Sequence, residues 1–349
     1  MSTAVTRDDR LTVAFLGLHP DRVRVVVERC GGTADALASI RRGRVDGVDP
    51  LSAVPADAAR AAVRAAGCTI VMLGDLDYPP ALASIIDPPD VLFVTGSLPR
   101  SAGVAVVGTR RCTNYGTRIA AAYGRAIAEA GWSLVSGLAR GIDGAAHEGT
   151  VEAGGVGVAV LGSGSDVVYP REHGPLRDRL LDLGGAVITE YPPGTPPNGW
   201  RFPPRNRIIS GLADAVVVVE AATTGGALVT AARAAEQGRA VFAVPGDIDR
   251  EASAGCNRLI RDGAIPVFDS TDLIEALGLV LGPPEERSAP VPSPAIEDDG
   301  PALVGPGGAT VDDVGRRLGI TGTALLAFLG RLELDGTIRR EGELIFPGR

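Results

Sequence analysis

The sequence predicts an α/β fold: a doubly wound, mainly parallel sheet, with a small helical module before it and a compact winged-helix domain after it. Three observations carry this. From about Cys68 onward, short apolar runs alternate with Ala-rich helical segments. The runs are almost free of polar residues, the pattern of strands buried on both faces. A stretch rich in proline and acid, GPPEERSAPVPSPAIEDDGP (282–301), then separates the last part of the chain from the rest.

The elements follow in order. Residues 1–66 read as a small all-helical module of helix-hairpin type. Asp21–Cys30 has a helical apolar pattern and stops at Gly31-Gly32. A second helix follows over Asp35–Arg42, with Thr33 as its candidate N-cap. The sheet domain spans 67–281. Its strand candidates are TIVML (69–73), VLFVTG (91–96), VAVVG (104–108), SLVSG (133–137), GVAVLG (157–162), AVITE (186–190), AVVVVE (215–220) and AVFAVPG (240–246). Helices are predicted over Tyr115–Ala130, Asp143–Ala153, Arg171–Leu183 and Gly226–Gln237. Residues 282–301 form a linker. Residues 302–349 read as helix, turn, helix and hairpin, the layout of a winged helix-turn-helix.

Composition excludes several classes of protein. No apolar run approaches the roughly 20 residues that span a bilayer. MSTAVTRDDR lacks the basic start and apolar core of a signal peptide, so a cytoplasmic protein without membrane association is predicted. The four cysteines, Cys30, Cys68, Cys112 and Cys256, show no C-x-x-C spacing, and His19, His147 and His173 do not lie near them. Neither a metal site nor a bound cofactor is expected. The net charge is −8, yet residues 100–265 carry 17 basic and 16 acidic side chains. The acidity therefore lies outside the central region. Every basic residue is arginine, so a phosphate contact here is a guanidinium or a backbone N–H.

In a doubly wound sheet, ligands bind beyond the carboxyl ends of the strands. Four predicted strands lead there into glycine-rich loops. These are Gly108-Thr109-Arg110, the run from Ser136-Gly137 through Arg140-Gly141 to Asp143, Gly162-Ser163, and Gly225-Gly226 beyond Glu220. Loops that open onto helix N-termini present backbone donors, and phosphate is their natural guest. No G-x-x-x-x-G-K-[ST] occurs, and no G-x-G-x-x-G follows the strand at 104–108. A P-loop nucleotidase and a dinucleotide oxidoreductase are thereby disfavoured. In FPPRNRIISGLADA (202–215), Pro203-Pro204 should keep the chain extended, and Arg205, Asn206 and Arg207 should open a short helix. Cations there oppose the helix dipole, which acidic partners would accommodate and an anionic ligand explains better. Tyr169, Tyr191, Trp200 and Phe202 adjoin these loops and either stack on bases or pack in the core. Nucleophilic catalysis finds little support. Ser136 and Ser163 have no clear histidine partner, His147 is expected on a helix surface, and Asp143 reads as an N-cap.

The motifs VAVVGTRRCTNYG, VSGLARGIDGAAH, VLGSGSDVVYP, TEYPPGTPP, FPPRNRIISGLADAVVVVEA and AARAAEQGRAVFAVPG, followed by GCNRLIRDGA, resemble in order those of the DprA/Smf DNA-processing family. YPPALASIIDPPDVLFVTG (78–96) resembles the family's lead into its sheet, and the match runs over about residues 70–267. The resemblance implies an extended Rossmann-like domain that forms a homodimer. It implies binding and protection of single-stranded DNA without strong sequence preference, and help in loading the recombinase RecA during transformation and recombination. It implies no catalytic activity. Carried over by position, the arginine of the family's G-S-R falls on Arg110 and its R-N-R on Arg205, Asn206 and Arg207. The basic residue after its Y-P falls on Arg171. Thr109 stands where the family has serine and keeps a hydroxyl. Gly225-Gly226-Ala227 stands in place of S-G-S and keeps only backbone donors.

Two alternatives are weighed. One is a nucleoside-monophosphate phosphoribohydrolase-like enzyme of a related Rossmann-like group. The glutamate of its P-G-G-x-G-T-x-x-E motif is replaced by alanine in the stretch Thr224–Ala232. The other is an adaptor that meets RecA without gripping DNA. The terminal domain is not expected to be the main DNA reader. Its candidate helix Thr321–Leu334 sets Arg331 against Glu333, and Arg339 and Arg340 on the hairpin are its only basic cluster.

Overall fold

The computed structural model describes residues 5–99, 101–282, 308–318, 329, 338–341 and 344–347. Two compact units separate, one holding the residues up to 73 and the sheet domain from 78, the other holding 74–77 and the C-terminal residues. Helices α1 (Arg7–Ala14), α2 (Pro20–Cys30), α3 (Thr33–Arg41) and α4 (Ala56–Ala65) come first. Strand β1 (Thr69–Met72), the short α5 (Pro80–Ala83) and β2 (Val91–Gly96) follow. Strands and helices then alternate: β3 (Gly103–Val107), α6 (Asn114–Glu129), β4 (Ser133–Ser136), α7 (Ile142–Glu152), β5 (Gly157–Val160), α8 (Gly174–Asp182) and β6 (Ala186–Thr189). The series ends with α9 (Phe202–Leu212), β7 (Ala215–Val218), α10 (Gly226–Glu236), β8 (Ala240–Ala243), α11 (Glu251–Arg261), β9 (Ile265–Pro266) and α12 (Ser270–Leu281).

These strands form one sheet in the order β1-β2-β6-β5-β4-β3-β7-β8-β9. From β6 to β9 all neighbours are parallel, and β2 runs antiparallel to both β1 and β6. The result is a Rossmann-like mixed sheet with helices on both faces. Alternation within the apolar runs builds the two cores. Ala105 and Val107 of β3, with Val216 and Val218 of β7, face Ile208, Ile209 and Ala231 on one side. Val104, Val106, Val217 and Val219 face Ala120, Tyr123, Ile127 and Leu273 on the other. Each such aliphatic residue contributes about 1.5–3 kcal/mol when buried, so strands this apolar are stable only between two helical layers. Strand β9, two residues long, gives no periodicity and is absent from the sequence-based strand assignment.

The amino-terminal helices share a core with the antiparallel edge. Leu11 of α1 and Ala59 and Val63 of α4 pack with Met72, Val91 and Phe93. Arg10 adds an ion pair to Asp90 at 2.6 Å. Thr33 is not the N-cap of α3. It is the helix's first residue, and Gly32 caps it without a side-chain bond.

Three further expectations need correction. Pro203-Pro204 does not keep the chain extended, because both sit in the first turn of α9. The N–H groups of a first turn have no intrahelical acceptor, so proline costs nothing there. The helix expected over Arg171–Leu183 begins as a 3-10 turn, Arg171–His173, before α8. His147 is fully buried rather than on a helix surface.

The second unit, taken by itself, contains β10 (Ala309–Thr310), α13 (Val311–Leu318), β11 (Ile338–Glu341) and β12 (Leu344–Pro347). Its strands form an antiparallel sheet ordered β10-β12-β11. The linker beyond Gly282 and the expected helix 321–334, Leu329 apart, lie outside the described residues. Among the described residues no helix is long and apolar enough to cross a membrane.

Helices α6 and α7 touch backbone to backbone. A Cβ on Gly149 would lie 2.9 Å from Ala121 Cα, and one on Gly124 would lie 2.9 Å from the carbonyl carbon of Ala146. Gly149→Ala gains about 1 kcal/mol of helix propensity. Overpacking against a backbone that cannot yield costs up to about 3 kcal/mol and dominates. The variant should be the less stable one, by about 2 kcal/mol, as read from its urea midpoint. An unchanged or raised midpoint would show the helix contact to be slack.

Candidate functional site

The carboxyl ends of β3, β4, β5 and β7 lie on one rim, and the strand order reverses between β3 and β7. The rim is stitched by its own backbone. Thr109 N–H donates to the Glu220 carbonyl at 2.8 Å, and Ile142 N–H donates to the Thr109 carbonyl at 3.3 Å. The buried Glu220 carboxylate accepts from Thr113 N–H at 2.9 Å and from its hydroxyl at 2.6 Å. Thr113 in turn caps α6 through Gly116 N–H. Glu220 stood out in the sequence only as a polar residue at a strand end. The structure makes it the clamp that fixes the start of α6.

A cavity of about 210 Å³ opens on this rim. Arg110 and Arg111 line it from the β3 loop, and Gly137, Ala139 and Arg140 from the β4 loop. Tyr169 and Pro170 contribute from the segment before α8, and Phe202 and Arg205 from the start of α9. The Arg110 guanidinium stands 4.8 Å from the Phe202 ring centre, and the Tyr169 ring is 5.7 Å from that of Phe202. Such contacts hold a cation over a ring without cancelling its charge. Arg140 is bridged to Glu172 at 2.5 Å. Arg171 is exposed next to Pro170. His173 Nδ1 lies 2.8 Å from the Leu138 carbonyl, which ties the two loops together. Leu138 holds the left-handed φ of +52° within the β4 loop.

Arg205 is 4% exposed. It donates to the Gly137 carbonyl at 2.9 Å and also to the Val160 carbonyl. Burial pulls its pKa down to about 10, with Asp143 opposing, so it is protonated at neutral pH. Burial pushes the Asp143 carboxyl up, against the pull of Arg205.

Not all of the expected binding residues reach the cavity. Arg207 is buried on another side of α9, between Glu190 at 2.7 Å and Asp87 at 3.2 Å. Burial works against its charge, and Glu190 and Asp87 hold its pKa up. It satisfies the expectation of acidic partners. Asn206 donates to the Gly226 carbonyl at 3.2 Å and so secures the start of α10. Ser136 is buried and donates to the Val106 carbonyl, and Ser163 to the Val167 carbonyl, both at 2.6–2.7 Å. Asp143 is not an N-cap; it lies within α7 and accepts from Gly137 N–H at 3.1 Å. The Thr109 and Gly137 N–H groups thus already have protein acceptors. Gly108 and Gly141 shape the same loops, and Gly162 lies beneath the Phe202 ring. Gly225 and Gly226 open α10 without lining this cavity. Of the adjoining aromatics, Tyr191 is buried, and Trp200 packs against His19 at 5.5 Å. Arg111, beside Arg110, lines the cavity without having been among the expected binding residues, and of the four adjoining rings Tyr169 and Phe202 line it.

The related phosphoribohydrolases need an acid near the start of the helix that is here α10. That helix carries Ala231 and Ala232, and its glutamate, Glu236, is bridged to Arg233 at 3.0 Å. Guanidinium groups and rings thus share one cavity on a Rossmann-like rim, and the candidate serines are spent on backbone carbonyls. Comparison with known proteins gives the family. The family model "DNA recombination-mediator protein A" matches residues 69–278. Protein Smf of Escherichia coli is 42% identical over 75% of this chain and 72% of its own length. DNA processing protein DprA of Bacillus subtilis is 40% identical over 62% of this chain and 74% of its own. A solved DNA processing protein A from Streptococcus pneumoniae superposes with a TM-score of 0.64 at 33% identity, over 78% of this chain and 98% of that one. One from Helicobacter pylori, studied for its single-stranded DNA binding mode, gives 0.54 at 26% identity over 61% and 97%. The chain belongs to the DprA/Smf family of DNA-processing proteins, whose members are not enzymes.

His147 cannot serve as a general base. Both ring nitrogens are buried without a hydrogen-bond partner, and burial, helped by His173, pushes its pKa down to about 3. In the unfolded chain it titrates near 6.5. Between those values the unfolded state takes up a proton and the folded state does not, so stability falls as pH drops. The loss approaches roughly 4 kcal/mol at the acid end. His147→Leu should therefore gain on the parent steadily from pH 6.5 downward. Parallel urea-midpoint curves for the two proteins would refute the buried neutral imidazole.

Proposed function

We propose that this chain binds single-stranded DNA in the cavity on the carboxyl rim of its sheet, protects it and, as a homodimer, helps load RecA onto it. The observation that carries the reading is the convergence of Arg110, Arg111, Arg140 and Arg205 with Tyr169 and Phe202 on one cavity. Guanidinium groups read phosphates, and rings stack on bases of any identity, so affinity comes without strong sequence preference. The relationship to the Helicobacter pylori protein points the same way. Arg110 is the principal phosphate ligand, since it is exposed, is held over a ring and has no carboxylate partner among the described residues. Arg111 and Arg171 flank it. Arg205 adds its charge from beneath. Ser136, Asp143, Ser163, Asn206 and Arg207 act by holding the loops, and Gly225-Gly226 serve the packing of α10.

Arg110→Ala should weaken binding of oligo-dT and lower the slope of log affinity against log salt by about 0.7, the share of one phosphate contact on a single strand. An isotherm unchanged across salt would remove Arg110 from the site. Competition should rank oligo-dT and mixed-sequence single strands together, ahead of duplex.

The terminal domain serves contacts with protein rather than the main grip on DNA. A chain ending after Gly282 keeps every described residue of the first unit and should retain most of the single-strand affinity. Loss of binding by a truncated chain that stays folded would make the terminal domain the DNA reader.

A further inference from the structure

We propose that the bound single strand continues out of the cavity along the first turns of α6, with a phosphate on Arg118 and the adjoining base on Tyr115. The inference rests on the cavity reading above and extends it to Tyr115, at the end of the first motif with no role assigned to it, and to Arg118 beyond that motif. It starts from which arginines of the sheet domain are already neutralised. Arg125, Arg140, Arg179, Arg233 and Arg250 pair with carboxylates at 2.5–3.0 Å. Arg177, Arg207, Arg239, Arg258 and Arg261 also have one within 4.0 Å. Arg201 is held on the Pro196 carbonyl and two rings, and Arg205 is buried. Among the described residues from 103 to 282, that leaves Arg110, Arg111, Arg118 and Arg171 exposed and without a carboxylate. Three of the four belong to the cavity and its edge. The fourth begins where α6 leaves it.

Arg118 repeats the arrangement seen inside the cavity. Its guanidinium lies 5.7 Å from the Tyr115 ring centre, as Arg110 lies over Phe202. Residues three apart share a helix face. Tyr115 is 39% exposed, whereas Tyr123 on the same helix is fully buried. Its position relative to the rim is fixed, because Thr113 is clamped by Glu220 two residues earlier. The amino-terminal end of α6 adds its partial positive charge. An uncompensated cation over a solvent-facing ring, continuous with a phosphate-reading rim, matches the phosphate-and-base repeat of a single strand. The track stops after that, since the next arginine on α6, Arg125, is bridged to Glu152 and Glu129 follows.

The test uses the full chain and a graded series of oligo-dT. On the shortest oligomers that bind, Arg118→Gln and Tyr115→Ala should be silent. On longer ones Arg118→Gln should lower the salt slope by about 0.7. Tyr115→Ala should weaken binding about tenfold, the value of one base stack. Tyr115→Phe should restore it, and Arg125→Gln should change nothing. Equal losses at every length, or no loss at any, overturn the extension. The two readings fail separately. A silent Arg110→Ala beside a length-dependent Arg118→Gln defeats the cavity, and the reverse defeats the α6 track.

Discussion

Two strand ends in the middle of the sheet, Gly137 after β4 and Val160 in β5, turn their carbonyls onto one guanidinium that solvent hardly reaches. An isolated ion at such a depth costs several kcal/mol. Arg205 offsets that cost by filling acceptors that the parallel sheet leaves open at its carboxyl edge, with the Asp143 carboxylate close behind. Gly137 has no side chain because the guanidinium occupies the place where one would go. Much of the rim inherits its position from this contact. Phe202 sits on the same helix, one turn earlier, and Arg110 stands over its ring. Asp143 holds Gly137 N–H and so sets the path of the β4 loop.

Because every cation here is arginine, burial and pairing rather than residue type divide the labour. Arg205 is buried among carbonyls and organises. Arg207, two positions on, is turned to Glu190 and Asp87, a buried pair that locks α9 to the segments carrying those carboxylates. Breaking such a pair leaves an uncompensated charge and is expensive. Arg140 spends much of its field on Glu172. Exposed bridges of that kind add little stability, but they lower the charge available to a ligand. The free positive field is therefore confined to a few side chains, and their location marks the face proposed for DNA.

The alternation of apolar strands and helices is legible because both faces of the sheet are buried. That burial imposes near-continuous hydrophobicity on β3 and β7 and amphipathicity on the helices between. The glycine-rich loops are legible for the same reason, since parallel strands end on one rim. What periodicity cannot show is direction and partner. Arg205 and Arg207 are neighbours in one motif, and only the rotation of α9 sends them to different environments. Pro203-Pro204 looked extended because proline restricts the residue before it, yet a first helical turn tolerates both. His147 is buried because α8 and β5 close over α7, a tertiary fact with no local signature. Gly225-Gly226 belongs to the right loop type, but α10 starts away from the cavity.

The net charge of −8 does not oppose an anionic ligand as strongly as it first suggests. At physiological salt, charges farther apart than about 8 Å are largely screened. A DNA strand in the cavity, as proposed, would therefore respond to Arg110, Arg111 and Arg171, and much less to carboxylates elsewhere on the chain. The acidic remainder acts in solution, where like charge keeps molecules apart and disfavours weak nonspecific contact with nucleic acid. Guanidinium groups suit this division. They remain charged when partly desolvated over rings such as Phe202, and they present a planar fork to phosphate. On the proposed reading, few strong local contacts within an acidic whole would give a grip that depends on the strand entering the rim, where rings are available only to unpaired bases.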